Sequence, residues 1–177
     1  MNENLKFLKE VFESESLPEE SLPEFVFWGR SNVGKSSLIN SITKSKIAKT
    51  SKTPGRTRSL VFFEFEKKIR IIDFPGYGYS KIPKFNEFKI DRLIENYLTQ
   101  RQVLKFIFLL IDARHGIMEI DKKILDQLDK ILGSKVIIIF TKIDKLKNQD
   151  DKQNLLRNNE QINQIFDKTF FNTSIKN

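Results

Sequence analysis

Residues Phe25 to Asn40 read FVFWGRSNVGKSSLIN. Four apolar residues stop at Gly29, then come Gly34, Lys35 and Ser36, then a helix-like run. Two glycines five apart, followed by Lys-Ser, form the phosphate-loop pattern. A loop that wraps a phosphate must turn several backbone N–H groups inward, and glycines permit that geometry. A helix starting near Lys35 adds the positive end of its dipole. Lys35 is then placed to reach terminal phosphates, and the Ser36 hydroxyl suits Mg²⁺. The bland reading is a glycine turn. The setting, strand before and helix after, favours the phosphate reading.

The surrounding chain sets the class. Its 177 residues fit one domain with a proper core. No apolar run is long enough to span a membrane, and the first residues lack the apolar stretch of a signal peptide. Cysteine is absent, which excludes disulfides, zinc-thiolate sites and thiol nucleophiles. A cytoplasmic protein is the expectation. Charge is uneven. Residues 1–24 hold seven acids against Lys6 and Lys9, so residues 25–177 carry about +13 of a chain total of +8. The first 24 residues read as an acidic, solvated arm. The basic body suits a polyanionic partner, or serves solubility alone.

Apolar runs alternate with amphipathic ones. Strands are expected at 25–28, 60–65, 68–74, 106–112, 135–144 and 169–174, with Glu66-Lys67 as a turn between the second and third. Helices are expected at 35–43, 85–101, 119–132 and 150–166. Near-continuous Ile, Val and Phe runs between helices indicate an α/β fold with a mostly parallel sheet covered on both faces. Ligands of such sheets sit beyond the strands' carboxyl ends.

Two further motifs lie at such ends. In IIDFPG, Asp73 closes a strand and Gly76 follows at the spacing that brings a backbone N–H to a γ-phosphate. Asp73 is suited to hold a water of the Mg²⁺ shell. In FTKID, Asp144 can accept from both N1–H and the exocyclic amine of guanine, a donor pair that adenine lacks. The Lys142 stem can cover the base plane. Alone, each motif is a turn or a helix cap; in register they point to a guanine nucleotide.

Taken in order, LPEFVFWGRSNVGKSSLIN, SKTPGRTRSLVFFEF, IIDFPGYGYSKIPK, IDARHGIMEID and FTKIDKL resemble the EngB (YihA/YsxC) family of bacterial ribosome-assembly GTPases, from about Leu22 to Ser174. TPGRT, DxPGYGY and the Thr of TKID are its more specific parts. The resemblance implies a Ras-like G domain: a mostly parallel sheet with one antiparallel edge strand and helices on both faces. It implies GTP hydrolysis to GDP, Mg²⁺, a large-ribosomal-subunit and rRNA partner, a link to cell division and septation, and a monomer away from membranes. It also implies a final helix beyond Asn177.

Carried over residue by residue, the nucleotide contacts would be Gly29, Arg30, Ser31, Asn32, Val33, Gly34, Lys35, Ser36 and Ser37 of the phosphate loop. They continue with Gly55, Arg56, Thr57, Arg58 and Ser59 of the first switch, and Asp73, Phe74, Pro75 and Gly76 of the second. Thr141, Lys142, Ile143 and Asp144, with Asn172, Thr173 and Ser174, would surround the base. Lys35, Thr57 and Gly76 would carry catalysis, and Ser36 and Thr57 would ligate Mg²⁺. Asn32 matches the residue that potassium-dependent relatives use to hold K⁺; a turn role is the alternative.

Departures matter as well. Trp28 is bulkier than the family's usual residue, and Arg58 replaces a usual Gln. Tyr77 stands where many GTPases place the Gln that orients the attacking water, so intrinsic hydrolysis is expected to be slow. Arg30, Arg56 and Arg58 are expected to face solvent or rRNA, or to pair with acids. His115, the single histidine, is expected on the surface. Two other readings remain open: an ATP-using phosphate-loop enzyme, and a basic RNA-binding protein whose nucleotide is structural.

Overall fold

The computed structural model describes residues 5–48, 59–78, 84–166 and 168–174. The strands are β1 (Leu5–Val11), β2 (Glu24–Gly29), β3 (Leu60–Phe65), β4 (Ile69–Asp73), β5 (Leu104–Asp112), β6 (Val136–Thr141) and β7 (Thr169–Asn172). The helices are α1 (Lys35–Thr43), α2 (Lys84–Gln100), α3 (Glu119–Leu132) and α4 (Gln149–Phe166). The sheet order is β1-β3-β4-β2-β5-β6-β7. All neighbours pair in parallel except β1 with β3 and β3 with β4. Hence β3 alone runs against the rest. It lies one place in from the edge, because β1 covers it.

The connection of β3 to β4 follows from its turn. Glu66 and Lys67 both adopt positive φ, 52° and 55°. Such a two-residue turn matches the twist of an antiparallel pair. The strand expected over 135–144 is shorter than its apolar run implies. It ends at Thr141 because Lys142 takes φ 59°, and a short 3-10 turn over Ile143–Lys145 follows.

Two apolar layers sandwich the sheet. Phe27, Ile71, Leu110 and Ile139 pack against Leu38 and Ile39 of α1. Trp28, Ile72, Leu109, Ile111 and Phe140 pack against Leu93 and Tyr97 of α2, Leu125 and Leu128 of α3 and Leu155 of α4. Burying both faces is what parallel pairing demands. The α1 layer is the thinner one. Phe25 stacks on Phe106 and Phe108 there, and Phe106 and Phe171 remain exposed.

The acidic arm carries a strand that its sequence did not announce. Residues 5–11 form the edge strand β1, with Leu5 and Val11 fully buried and the residues between them exposed. Ser59 is buried too, and its hydroxyl donates to Glu10 at 2.5 Å. Further along, Glu24 is wholly inaccessible. It accepts from the Arg101 guanidinium at 2.8 and 2.7 Å, from the Tyr97 phenol at 2.7 Å and from Arg70 at 3.3 Å. The acids of this segment are therefore partly structural. Glu24 ties the start of β2 to the end of α2.

Removing one partner of a buried charge leaves the other uncompensated. Arg101→Ala is expected to destabilise the fold by about 3 kcal/mol in urea unfolding. A loss below about 1 kcal/mol would mean that the cluster behaves as a surface pair.

Candidate nucleotide site

The parallel register of β2, β5 and β6 brings Gly29, Asp112 and Thr141 to the same edge of the sheet. The loop from Gly29 to Ser36 crosses that edge. Gly29 has no room for a side chain, since a Cβ there would lie 2.6 Å from the Leu110 carbonyl oxygen. Gly34 adopts φ 107° and caps α1, so its N–H and those that follow start the helix. Asn32 takes φ 63°, a conformation that Asn tolerates better than most residues, which supports its turn role.

Lys35 and Ser36 both face Asp73. The Lys35 ammonium lies 2.5 Å from Asp73 Oδ1, and the Ser36 hydroxyl donates to Oδ2 at 3.3 Å. Apart from that ammonium, the buried Oδ1 has no hydrogen-bond partner. A hydroxyl and a carboxylate with spare acceptor capacity are hard oxygen donors, so they fit a hydrated Mg²⁺. Among the described residues there is no cluster of three or more His, Asp or Glu that could hold a metal by itself. Phosphate oxygens would have to complete such a shell.

The third motif is bonded directly onto the loop. The Thr141 hydroxyl donates to the Val33 carbonyl at 2.7 Å. The Lys142 ammonium donates to the Asn32 carbonyl at 2.7 Å and to Asp112 Oδ2 at 2.8 Å. Burial pushes the Asp112 carboxyl up. Hydrogen bonds from Arg114 and Lys142 outweigh it and hold the group well below the usual carboxylate range. Asp112 thus stays ionised and fixes Lys142. Asp144 is exposed in its turn. The Thr173 N–H donates to the Phe140 carbonyl at 2.8 Å, which sets Asn172–Ser174 beside the same turn.

The structure therefore gathers Gly29–Ser37, Asp73–Gly76, Thr141–Asp144 and Asn172–Ser174 around one edge. Their side chains do not all share that task. Phe74 is a core residue, edge-on to Trp28 and Tyr97. Val33 and Ile143 also belong to the core layers. Ser59 contacts Glu10, as above. Gly55, Arg56, Thr57 and Arg58 lie outside the described residues.

Arg30 pairs with an acid. Its Nε lies 3.3 Å from Asp121, and it donates to the Gly116 carbonyl at 3.0 Å. His115 is exposed. Three residues of this region were not foreseen: Asp112, Asp121 and Glu10. Asp112 ends a strand, which was the one available signal. Asp121 and Glu10 lie in amphipathic stretches, where an acid looks like surface.

Fold and site together define a phosphate-loop GTPase with a Ras-like G domain. Residues 24–142 match the family described as 50S ribosome-binding GTPase. The chain is 48% identical over 149 residues to a probable GTP-binding protein EngB of Mycoplasmopsis synoviae, covering 84% of this chain and 77% of that one. It is 44% identical over 142 residues to the probable EngB of Aquifex aeolicus, covering 80% and 76%. Among solved structures, a probable GTP-binding protein EngB superposes with a TM-score of 0.63 at 30% identity, over 85% of this chain and 88% of that one. Era of Aquifex aeolicus gives 0.68 at 23% identity over 86% and 51%, a likeness of fold alone. The chain belongs to the EngB family of GTP-binding proteins. Among the described residues, no helix is long and apolar enough to cross a membrane.

Proposed function

We propose that this GTPase is a cytoplasmic switch that assists assembly of the large ribosomal subunit, and through it normal cell division. One observation carries the nucleotide part: Thr141 and Lys142 are bonded onto the carbonyls of Val33 and Asn32. Base-reading and phosphate-binding segments are thereby one rigid unit. The family match and the basic body support the ribosomal part.

In this reading the loop from Gly29 to Ser37 cradles the phosphates with those of its backbone N–H groups that are not bonded within the protein, and Lys35 exchanges Asp73 for a phosphate oxygen. Asp144 accepts from guanine, with Lys142 along the base and Asn172–Ser174 closing the pocket. Ser36 and Thr57, with Asp73 through water, would hold Mg²⁺, which would supply neutralisation of charge on the phosphates. Gly76 and Thr57 contact the γ-phosphate, whose loss releases the first switch and the part of the second that follows Tyr77.

The Tyr77 phenol donates to Asp121 at 2.7 Å, and burial followed by that acid raises it far above the usual tyrosine range. It therefore stays protonated and engaged, which supports slow intrinsic hydrolysis that a partner or a monovalent cation accelerates.

Asp144→Asn is expected to turn nucleotide preference from guanine toward xanthine, read by titration with GDP and XDP. Tighter ADP than GDP binding by the unmodified chain would favour an ATP-using enzyme. If Asn32 holds K⁺, GTP turnover is faster in KCl than in NaCl, and equal rates remove that role. The ribosomal part is tested by pelleting subunits with a GTP analogue, GDP or no nucleotide at fixed salt. Large-subunit association is expected to be strongest with the analogue. Association indifferent to nucleotide would leave an RNA-binding protein.

A further inference from the structure

Pro75, Gly76 and Tyr77 run along the phosphate loop and are held there from three directions. The first is backbone. The Tyr77 N–H donates to the Gly29 carbonyl, and the Ser31 N–H to the Tyr77 carbonyl, both at 3.3 Å. Gly76 lies so close that a Cβ would sit 2.9 Å from Ser31 Oγ and 3.0 Å from Ser31 N.

The second is Trp28. Its indole N–H donates to the Pro75 carbonyl at 3.0 Å. The ring is buried, and it meets Phe74 and Tyr77 edge-on at 5.6 and 5.5 Å. The third is Asp121, which is 0% exposed. Its Oδ1 accepts from the Tyr77 phenol at 2.7 Å, and Oδ2 accepts from the Met118 N–H at 2.8 Å, capping α3. With Arg30 beside it as well, this carboxylate ties the phosphate loop, the second switch and α3 together.

We propose that Trp28 and Asp121 are positioning residues for Gly76. They keep Pro75–Tyr77 against the phosphate loop whichever guanine nucleotide is bound. The responsive part of the second switch then begins at Gly78, which adopts φ 80°, where a side chain would be strained. The proposal rests on the reading of Gly76 as the γ-phosphate sensor. Its consequence is a preference: a triphosphate meets a segment already in place and bears no cost of ordering it. A diphosphate makes no contact with Gly76, so its affinity is independent of the tethers.

Tyr77→Phe removes one phenol oxygen, and Trp28→Phe removes the indole donor while keeping a ring. Each is measured by calorimetry with Mg²⁺ and either GDP or a non-hydrolysable GTP analogue. The expected result is a loss of about 3- to 10-fold in analogue affinity, the scale of one hydrogen bond, with GDP affinity unchanged within about twofold. Trp28 is the single tryptophan, so the emission of the unmodified chain should coincide in its two nucleotide states. Equal losses for both nucleotides, no loss for either, or an emission shift between the states would overturn the proposal. Failure of the unmodified chain to bind GDP would instead overturn the guanine reading beneath it. Should Trp28→Phe not fold, the half-buried Tyr77→Phe change decides the matter alone.

Discussion

The hydrogen bond from Thr141 to the Val33 carbonyl is the constraint on which the site depends. It joins the end of β6 to a loop that begins at β2, two strands away in the sheet. Neither segment could hold a nucleotide alone. A phosphate loop without its partner recognises any nucleoside polyphosphate, and a lone Thr-Lys-Ile-Asp recognises nothing. Thr141 is buried and also lies 3.3 Å from the Ile111 carbonyl, so its hydroxyl spans β5 as well. That short side chain works only because parallel register sets Asp112 and Thr141 level with each other, two residues past the level of Gly29, so that β6 reaches over to the loop.

Around that joint, charges are kept in place by being shared. Asp112 serves Arg114 and Lys142 at once; Asp73 serves Lys35 and Ser36; Asp121 serves Tyr77, Arg30 and the start of α3. Each carboxylate has at least one partner from a distant part of the chain. A buried charge of this sort is costly unless every partner is present. The arrangement therefore selects one conformation over compact alternatives, and it aligns loops that have little apolar contact of their own.

Much of this was legible in the residues. The strand and helix runs, the phosphate loop and the two carboxylate motifs rest on local pattern and spacing, which a chain displays openly. What stayed hidden has physical reasons. β1 was missed because its pairing with β3 shifts register between Phe7 and Lys9. The irregularity moves Leu5 and Val11 into opposite apolar layers and erases the period-two alternation that marks a strand. Ser59 lies against Glu10, 49 positions distant, and no local signal announces such a pair. Pairing with an acid is among the expectations for Arg30, yet the acid itself is hidden, because Asp121 comes from a helix that reads as amphipathic surface. Trp28 looked like a bulky substitution; its function lies in one indole proton that meets Pro75.

The same contacts bear on how a change of nucleotide could spread. At one end, Trp28 and Asp121 hold the segment that carries Gly76. At the other, α2 ends against the buried Glu24, through Tyr97 and Arg101. Both anchors are fixed to the sheet, one at the carboxyl end of β2 and the other at its start. The chain between Gly78 and Tyr97 is thus bounded by two points that cannot easily shift without breaking buried polar bonds. A phosphate-dependent rearrangement confined to that interval would alter the first turns of α2 and the surface beside them, where Phe88 is exposed, and leave the core layers intact. A switch built this way changes its outer face at little cost to stability, because the groups that move are not those that hold the sheet together.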